Sequence, residues 1–198
     1  MERICVFGDS TALGSLDYEL GGWVNRLWLF IAKQDDYKEI YNLSISGGTS
    51  ETILERFENE AKVRRAEALI FQTGTNDSAF LNQIGNCWVT PEKFENNIKE
   101  IIQRAKKITT NIIFIGGEKC DETKTNPVEW DNIYWTVDAI KKYNEIMKEI
   151  CLKGNVLFLD VFDLLDINDL EDGLHPNASG HAKIFSRVKE FLISQNWI

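Results

Sequence analysis

Five short apolar runs, separated by longer amphipathic stretches, restrict this chain more than any other feature. They are RICVFG (3–8), EIYNLSI (39–45), ALIFQT (68–73), NIIFIG (111–116) and VLFLDV (156–161). Most are apolar almost without interruption and rich in β-branched or aromatic residues. A strand with one wet face alternates polar and apolar positions, whereas a strand covered on both faces does not. The segments between the runs, 22–34, 50–66, 90–108 and 137–154, carry apolar residues at helical spacing, and a last one, 177–194, follows the fifth run. Thr90 followed by Pro91 marks a helix start, and Gly154 marks a helix stop. This repeated alternation predicts a parallel sheet joined by right-handed crossovers, with helices on both faces.

The chain has 198 residues, enough for one domain with a sizeable core and short for two. No repeat, low-complexity tract or linker interrupts it, so a single domain over residues 1–198 is expected. Lys and Arg number 22 against 31 Asp and Glu, a net charge of −9. With no basic run, nucleic acid and anionic membranes are poor partners, because both require a basic footprint. No apolar run approaches the roughly 20 residues of a membrane span. The first strand begins almost at once, which leaves no room for a signal peptide. Cys5, Cys87, Cys120 and Cys151 are widely spaced and form no CxxC pair. They read as reduced thiols of a cytoplasmic protein. The Asn-x-Ser/Thr matches at Asn42, Asn76 and Asn177 read as coincidence in that setting.

Ligands of an open parallel sheet bind beyond the carboxyl ends of its strands, so the residues after each run matter most. After the first come Gly8, Asp9 and Ser10, and after the second Gly47 and Gly48. After the third come Gly74, Asn76 and Asp77, and the loop after the fifth leads to Asp172 and His175. A serine hydroxyl becomes a nucleophile when an imidazole removes its proton, and neutral His175 suits that role. Asp172, three residues earlier, is close enough to hold the ring in one tautomer. The backbone N–H groups of Ser10 and Gly47 and the amide of Asn76 would supply donors for an oxyanion. Asp77 is assigned to bracing its loop, and His181, in the first turns of the last helix, to structure.

In order along the chain, FGDS (7–10), NLSISGG (42–48), GTND (74–77) and DGLHP (172–176) resemble the four blocks of the SGNH hydrolases, the GDSL lipase/esterase family. The resemblance runs across nearly the whole chain. It implies a three-layer α/β/α, flavodoxin-like fold and a serine esterase working through an acyl-enzyme. Ser10 would be the nucleophile, His175 the base, Asp172 its partner, and Ser10, Gly47 and Asn76 the oxyanion hole. It also implies no metal or organic cofactor. Thr11 stands in place of the leucine of the family's name, and Gly48 where many members carry a polar residue, which leaves the choice between the two glycines to Gly47 as the first after its strand.

Other readings stay open. The same site serves an acyltransferase, an acyl thioesterase or a lysophospholipase, and the fold serves a silent binding protein. Asp172 and His175 alone make a poor zinc site. No G-x-G-x-x-G or Walker pattern supports nucleotide binding, and the serine lacks the G-x-S-x-G elbow of α/β-hydrolases. The expected substrate is a small ester, with a leaning to short-chain or carbohydrate O-acetyl esters. Trp23, Trp130 and Trp135 are candidates for the pocket wall, the last two within a long connection, 118–136.

Overall fold

The computed structural model describes residues 1–34 and 37–198. In chain order its strands are β1 (Arg3–Gly8), β2 (Glu39–Asn42), β3 (Ala68–Gln72), β4 (Phe80–Leu81), β5 (Ile112–Ile115), β6 (Ile133–Tyr134) and β7 (Leu157–Leu159). The helices are α1 (Ser10–Leu13), α2 (Gly22–Ala32), α3 (Ser50–Val63), α4 (Pro91–Ala105), α5 (Glu122–Thr125), α6 (Val137–Lys153) and α7 (Ala178–Ser194). The five expected runs form one sheet in the order β2-β1-β3-β5-β7, with every neighbouring pair parallel.

Alternate residues of each strand face opposite layers. Cys5, Phe7, Leu69, Phe71, Ile112 and Phe114 share one core with Phe57 of α3, Phe94 and Ile98 of α4, and Met147 of α6. Ile4, Val6, Ala68, Ile70, Ile113 and Ile115 share the other with Trp23 and Leu27 of α2, and Ile184 and Val188 of α7. The result is the expected three-layer α/β/α sandwich. Phe7, Phe71 and Phe114 stack in a row across β1, β3 and β5, with centroids 5.6 and 5.0 Å apart. Each such pair contributes about 0.5–1.5 kcal/mol beyond its buried area. The row packs the three central strands of the sheet against one another, two of which, β1 and β3, lead into Ser10 and Asn76.

Local departures from the sequence reading have local causes. The β2 ladder stops at Asn42, yet Leu43 N–H and Ile45 N–H still bond the Val6 and Gly8 carbonyls. The chain therefore stays beside β1 until it reaches Gly47. Gly154 does cap α6 but keeps a right-handed φ of −80°. The left-handed residue is Asn155, at φ 48°, a conformation asparagine tolerates better than most. The connections 79–88 and 118–136 are not independent loops. Phe80 and Leu81 pair antiparallel with Tyr134 and Ile133, over a small core of Ala79, Cys120, Val128, Trp135 and Ile140. Strands of two residues show no periodicity, so the sequence could not announce them. Among the described residues no helix is long and apolar enough to cross a membrane.

Candidate active site

Ser10 sits where β1 turns into α1. The turn is sharp: a Cβ on Gly8 would lie 2.6 Å from Ala12 Cβ and 2.8 Å from the Gln72 carbonyl oxygen. Asp9 is the N-cap, accepting from Thr11 N–H at 2.9 Å, and α1 ends after one turn at left-handed Gly14. A glycine before and a capped turn after thus fix Ser10 at the carboxyl edge of the sheet. Burial pushes the Asp9 carboxyl up to about 6, against the hydrogen bond from Thr11 N–H.

His175 reaches the same point from the far end of the chain. Asp172 Oδ1 accepts the N–H groups of Leu174 (2.9 Å) and His175 (2.7 Å). Its Oδ2 lies 2.7 Å from His175 Nδ1, and His175 Nε2 lies 2.9 Å from Ser10 Oγ. A carboxylate only accepts, so Nδ1 carries the proton and Nε2 is left to accept the Ser10 hydroxyl. Burial opposes charge on Asp172, but the hydrogen bonds from the His175 ring, His175 N–H and Leu174 N–H outweigh it and hold the carboxyl below its ordinary range. Gly173 makes the turn at φ 90°, where a Cβ would meet Lys124 Cβ at 2.7 Å. Asp121 N–H bonds the Gly173 carbonyl at 2.7 Å, anchoring this turn to the base of α5.

The loops after β2 and β3, the two strands that flank β1, meet each other. Gly48 N–H is taken by the Ile45 carbonyl at 2.9 Å. Gly47, at φ 74°, has an N–H without an acceptor among the described residues, which separates the two glycines. Asn76 Nδ2 donates to the Gly48 carbonyl at 2.9 Å, so the amide is oriented while its second N–H has no partner among the described residues. Asp77 holds the Asn76 loop to α3: its carboxylate accepts Ser50 N–H (3.0 Å), the Ser50 hydroxyl and the Thr73 hydroxyl (3.2 Å). Burial raises the Asp77 carboxyl to about 6 against those bonds.

Of the three tryptophans expected at the wall, two are elsewhere. Trp23 is wholly buried, its indole N–H donating to Gln72 Oε1 at 2.8 Å. The helical face that carries it packs on the sheet rather than on the site. Trp135 is buried in the small core beneath the β4–β6 ribbon, its N–H on the Thr75 carbonyl at 3.1 Å. Trp130 alone is open, 54% exposed, with its ring centroid 6.2 Å from that of His175. His181 is buried, Nε2 lying 3.2 Å from the Ser15 carbonyl, and takes no part in the relay.

One feature went unread in the sequence. Trp23 fixes the Gln72 amide so that its Nε2 donates to Glu118 Oε1 at 3.1 Å. Glu118 is buried, and burial with Asp9 nearby pushes its carboxyl up to about 8. A glutamine ending an otherwise apolar strand and a glutamate directly after β5 were the available signals. Among the described residues no group of three or more His, Cys, Asp or Glu is placed to hold a metal ion.

Known proteins resemble this chain. The GDSL-like Lipase/Acylhydrolase family matches residues 6–183. The uncharacterized lipoprotein YqeF of Bacillus subtilis (strain 168) is 31% identical over 111 residues, 54% of this chain and 44% of its own. A multidomain esterase of Ruminococcus flavefaciens is 41% identical over 49 residues, 23% of this chain and 6% of its own. The chain thus spans less than half the length of either relative. Among solved structures, the lipase/acylhydrolase from Enterococcus faecalis superposes with a TM-score of 0.77 at 20% identity, covering 98% of this chain and 97% of that one. Axe2, an acetylxylan esterase from Geobacillus stearothermophilus, gives 0.74 at 19% identity, covering 96% and 92%. At such identities the likeness speaks to the fold.

Proposed function

The chain belongs to the GDSL-like lipase/acylhydrolase family, and from that premise we propose that it is a serine esterase whose triad is Ser10, His175 and Asp172. The observation that carries the reading is the unbroken relay of 2.7 Å from Asp172 to His175 and 2.9 Å from His175 to Ser10. His175 Nε2 takes the Ser10 proton as Oγ attacks the ester carbonyl. The tetrahedral oxyanion is received by the N–H groups of Ser10 and Gly47 and the free N–H of Asn76. His175 then hands its proton to the leaving alcohol, and the acyl group stays on Ser10. A water activated by the same nitrogen releases the acid. Asp172 keeps Nδ1 protonated and stabilises the imidazolium between steps.

The reading takes residues 1–198 as one catalytic domain acting on small esters, with a leaning to short-chain or carbohydrate O-acetyl groups. The acetylxylan esterase among its structural neighbours supports that leaning. Four unpaired thiols, three of them buried, support a reducing, cytoplasmic setting. Turnover of p-nitrophenyl esters of graded chain length, wild type against Ser10→Ala, tests the proposal. Wild type cleaves the short esters fastest, and Ser10→Ala loses about 10³-fold or more in kcat. Wild-type rates in Ser10→Ala would sink the mechanism, and a preference for long chains would sink the leaning.

A further inference from the structure

A cavity of about 300 Å³ opens beside His175, lined by Lys124, Glu129, Trp130, Glu171 and Asp172. That volume is at the lower end of small-molecule sites. Its position has a chemical meaning once the esterase reading above is accepted, and the inference rests on that reading. The imidazole must deliver its proton to the leaving oxygen, so the alcohol half of the ester lies on the His175 side. The Trp130 ring is tilted 33° from the imidazole at 6.2 Å and so extends the His175 wall outward, into the path of the leaving group.

The lining chooses the kind of alcohol. Trp130 is its single aromatic or aliphatic side chain, and the other four carry charged heads. A fatty chain would find almost no apolar partner there. A sugar ring presents one face of C–H groups, which packs on an indole, and a rim of hydroxyls needing both donors and acceptors. Lys124 supplies donors, and Glu129 and Glu171 supply acceptors. A quaternary ammonium also favours an indole face and the carboxylates here, but it offers no acceptor to Lys124, whereas a rim of hydroxyls partners both signs of the lining. Gly173 brings Lys124 to the spot: its lack of a Cβ lets the Lys124 stem pack on the turn that carries Asp172.

We propose that Trp130, with Lys124, Glu129 and Glu171, forms a leaving-group subsite that stacks and hydrogen-bonds a sugar ring, making Trp130 a specificity determinant for carbohydrate O-acetyl esters. Three acetyl esters share one acyl group and differ only in the alcohol: vinyl acetate, a peracetylated methyl β-pyranoside and acetylcholine. The measurement is kcat and KM on each, for wild type, Trp130→Ala, Trp130→Phe and Trp28→Ala, the last an exposed tryptophan in a separate depression of α2.

In Trp130→Ala the kcat/KM ratio of glycoside to vinyl acetate falls about tenfold, mainly through KM. Trp130→Phe keeps most of the ratio, and Trp28→Ala keeps all of it. An unchanged ratio in Trp130→Ala overturns the subsite, as does a wild type that cleaves vinyl acetate but not the glycoside. A larger loss for acetylcholine than for the glycoside overturns it in favour of a cationic alcohol. A wild type inactive on all three esters overturns the esterase reading itself and the subsite with it.

Discussion

The two histidines of this chain stand six residues apart and live in opposite surroundings. His175 is in a turn, with a carboxylate on one ring nitrogen and a serine hydroxyl on the other. His181 is inside α7, with a carbonyl near Nε2 and no partner for Nδ1 among the described residues. Pro176 and Asn177 separate the two regimes, since Asn177 caps α7 by accepting Gly180 N–H at 3.1 Å. The contrast teaches that an imidazole gains chemistry from what holds each nitrogen. In the turn both nitrogens have partners that differ in acidity, so a proton has somewhere to come from and to go. In the helix one nitrogen is anchored and the other is buried without a partner among the described residues. Burial lowers the pKa of His181 despite the Ser15 carbonyl and the Asp17 charge, and the ring stays neutral.

Removing the chemistry-bearing ring gives the largest effect. His175→Ala lowers kcat on a short ester by about 10³-fold or more, measured by steady-state turnover with folding checked by circular dichroism. A loss of less than tenfold would erase the distinction between the two histidines. Next comes its partner. Asp172→Asn keeps the shape but offers an N–H where Nδ1 needs an acceptor, and kcat falls by about 10²–10⁴-fold with KM moving much less. An Asp172→Asn variant as active as wild type would mean that the ring is oriented by packing alone.

The smallest catalytic effect belongs to His181. His181→Gln leaves kcat within a few-fold and lowers the melting temperature by about 3–10 °C, the range for about 1–3 kcal/mol in a chain of this size. Its pH dependence sharpens the comparison. The folded ring has a pKa below the free value of 6.5. The unfolded chain therefore binds a proton first as pH falls, and the stability present above pH 6.5 is lost on acidification. Glutamine does not titrate, so the melting gap between wild type and His181→Gln narrows from pH 7 to pH 5. A gap that widens would show that His181 is charged when folded.

How much of this was legible in the sequence depends on what kind of signal each part leaves. The five strands read clearly because β1, β3 and β5 are buried on both faces, so Val6, Phe7, Ile70, Phe71, Ile113 and Phe114 form unbroken runs. Ser10 and Asn76 stood out because polar residues directly after such runs collect at one sheet edge, and Asp172 and His175, on the loop after the last run, meet Ser10 there. Trp23 and Trp135 did not, because an aromatic residue looks the same whether it faces a core or a cleft. The choice of Gly47 over Gly48 rests on which N–H the Ile45 carbonyl takes, a detail of turn geometry. Gln72 and Glu118 were hidden for a related reason: at a strand end, polarity suggests solvent, and only the packing of Trp23 reveals that both are enclosed.

The hydrogen bond between Ser10 and His175 closes a loop of 165 residues. On a ribosome adding about 5–20 residues per second, the hydroxyl precedes its base by roughly ten to thirty seconds. Throughout that interval the nascent chain carries an ordinary serine. On the reading proposed above, Ser10 gains its base only when the turn before α7 reaches the carboxyl edge of β1, so esterase activity would report the arrival of that turn rather than the formation of β1.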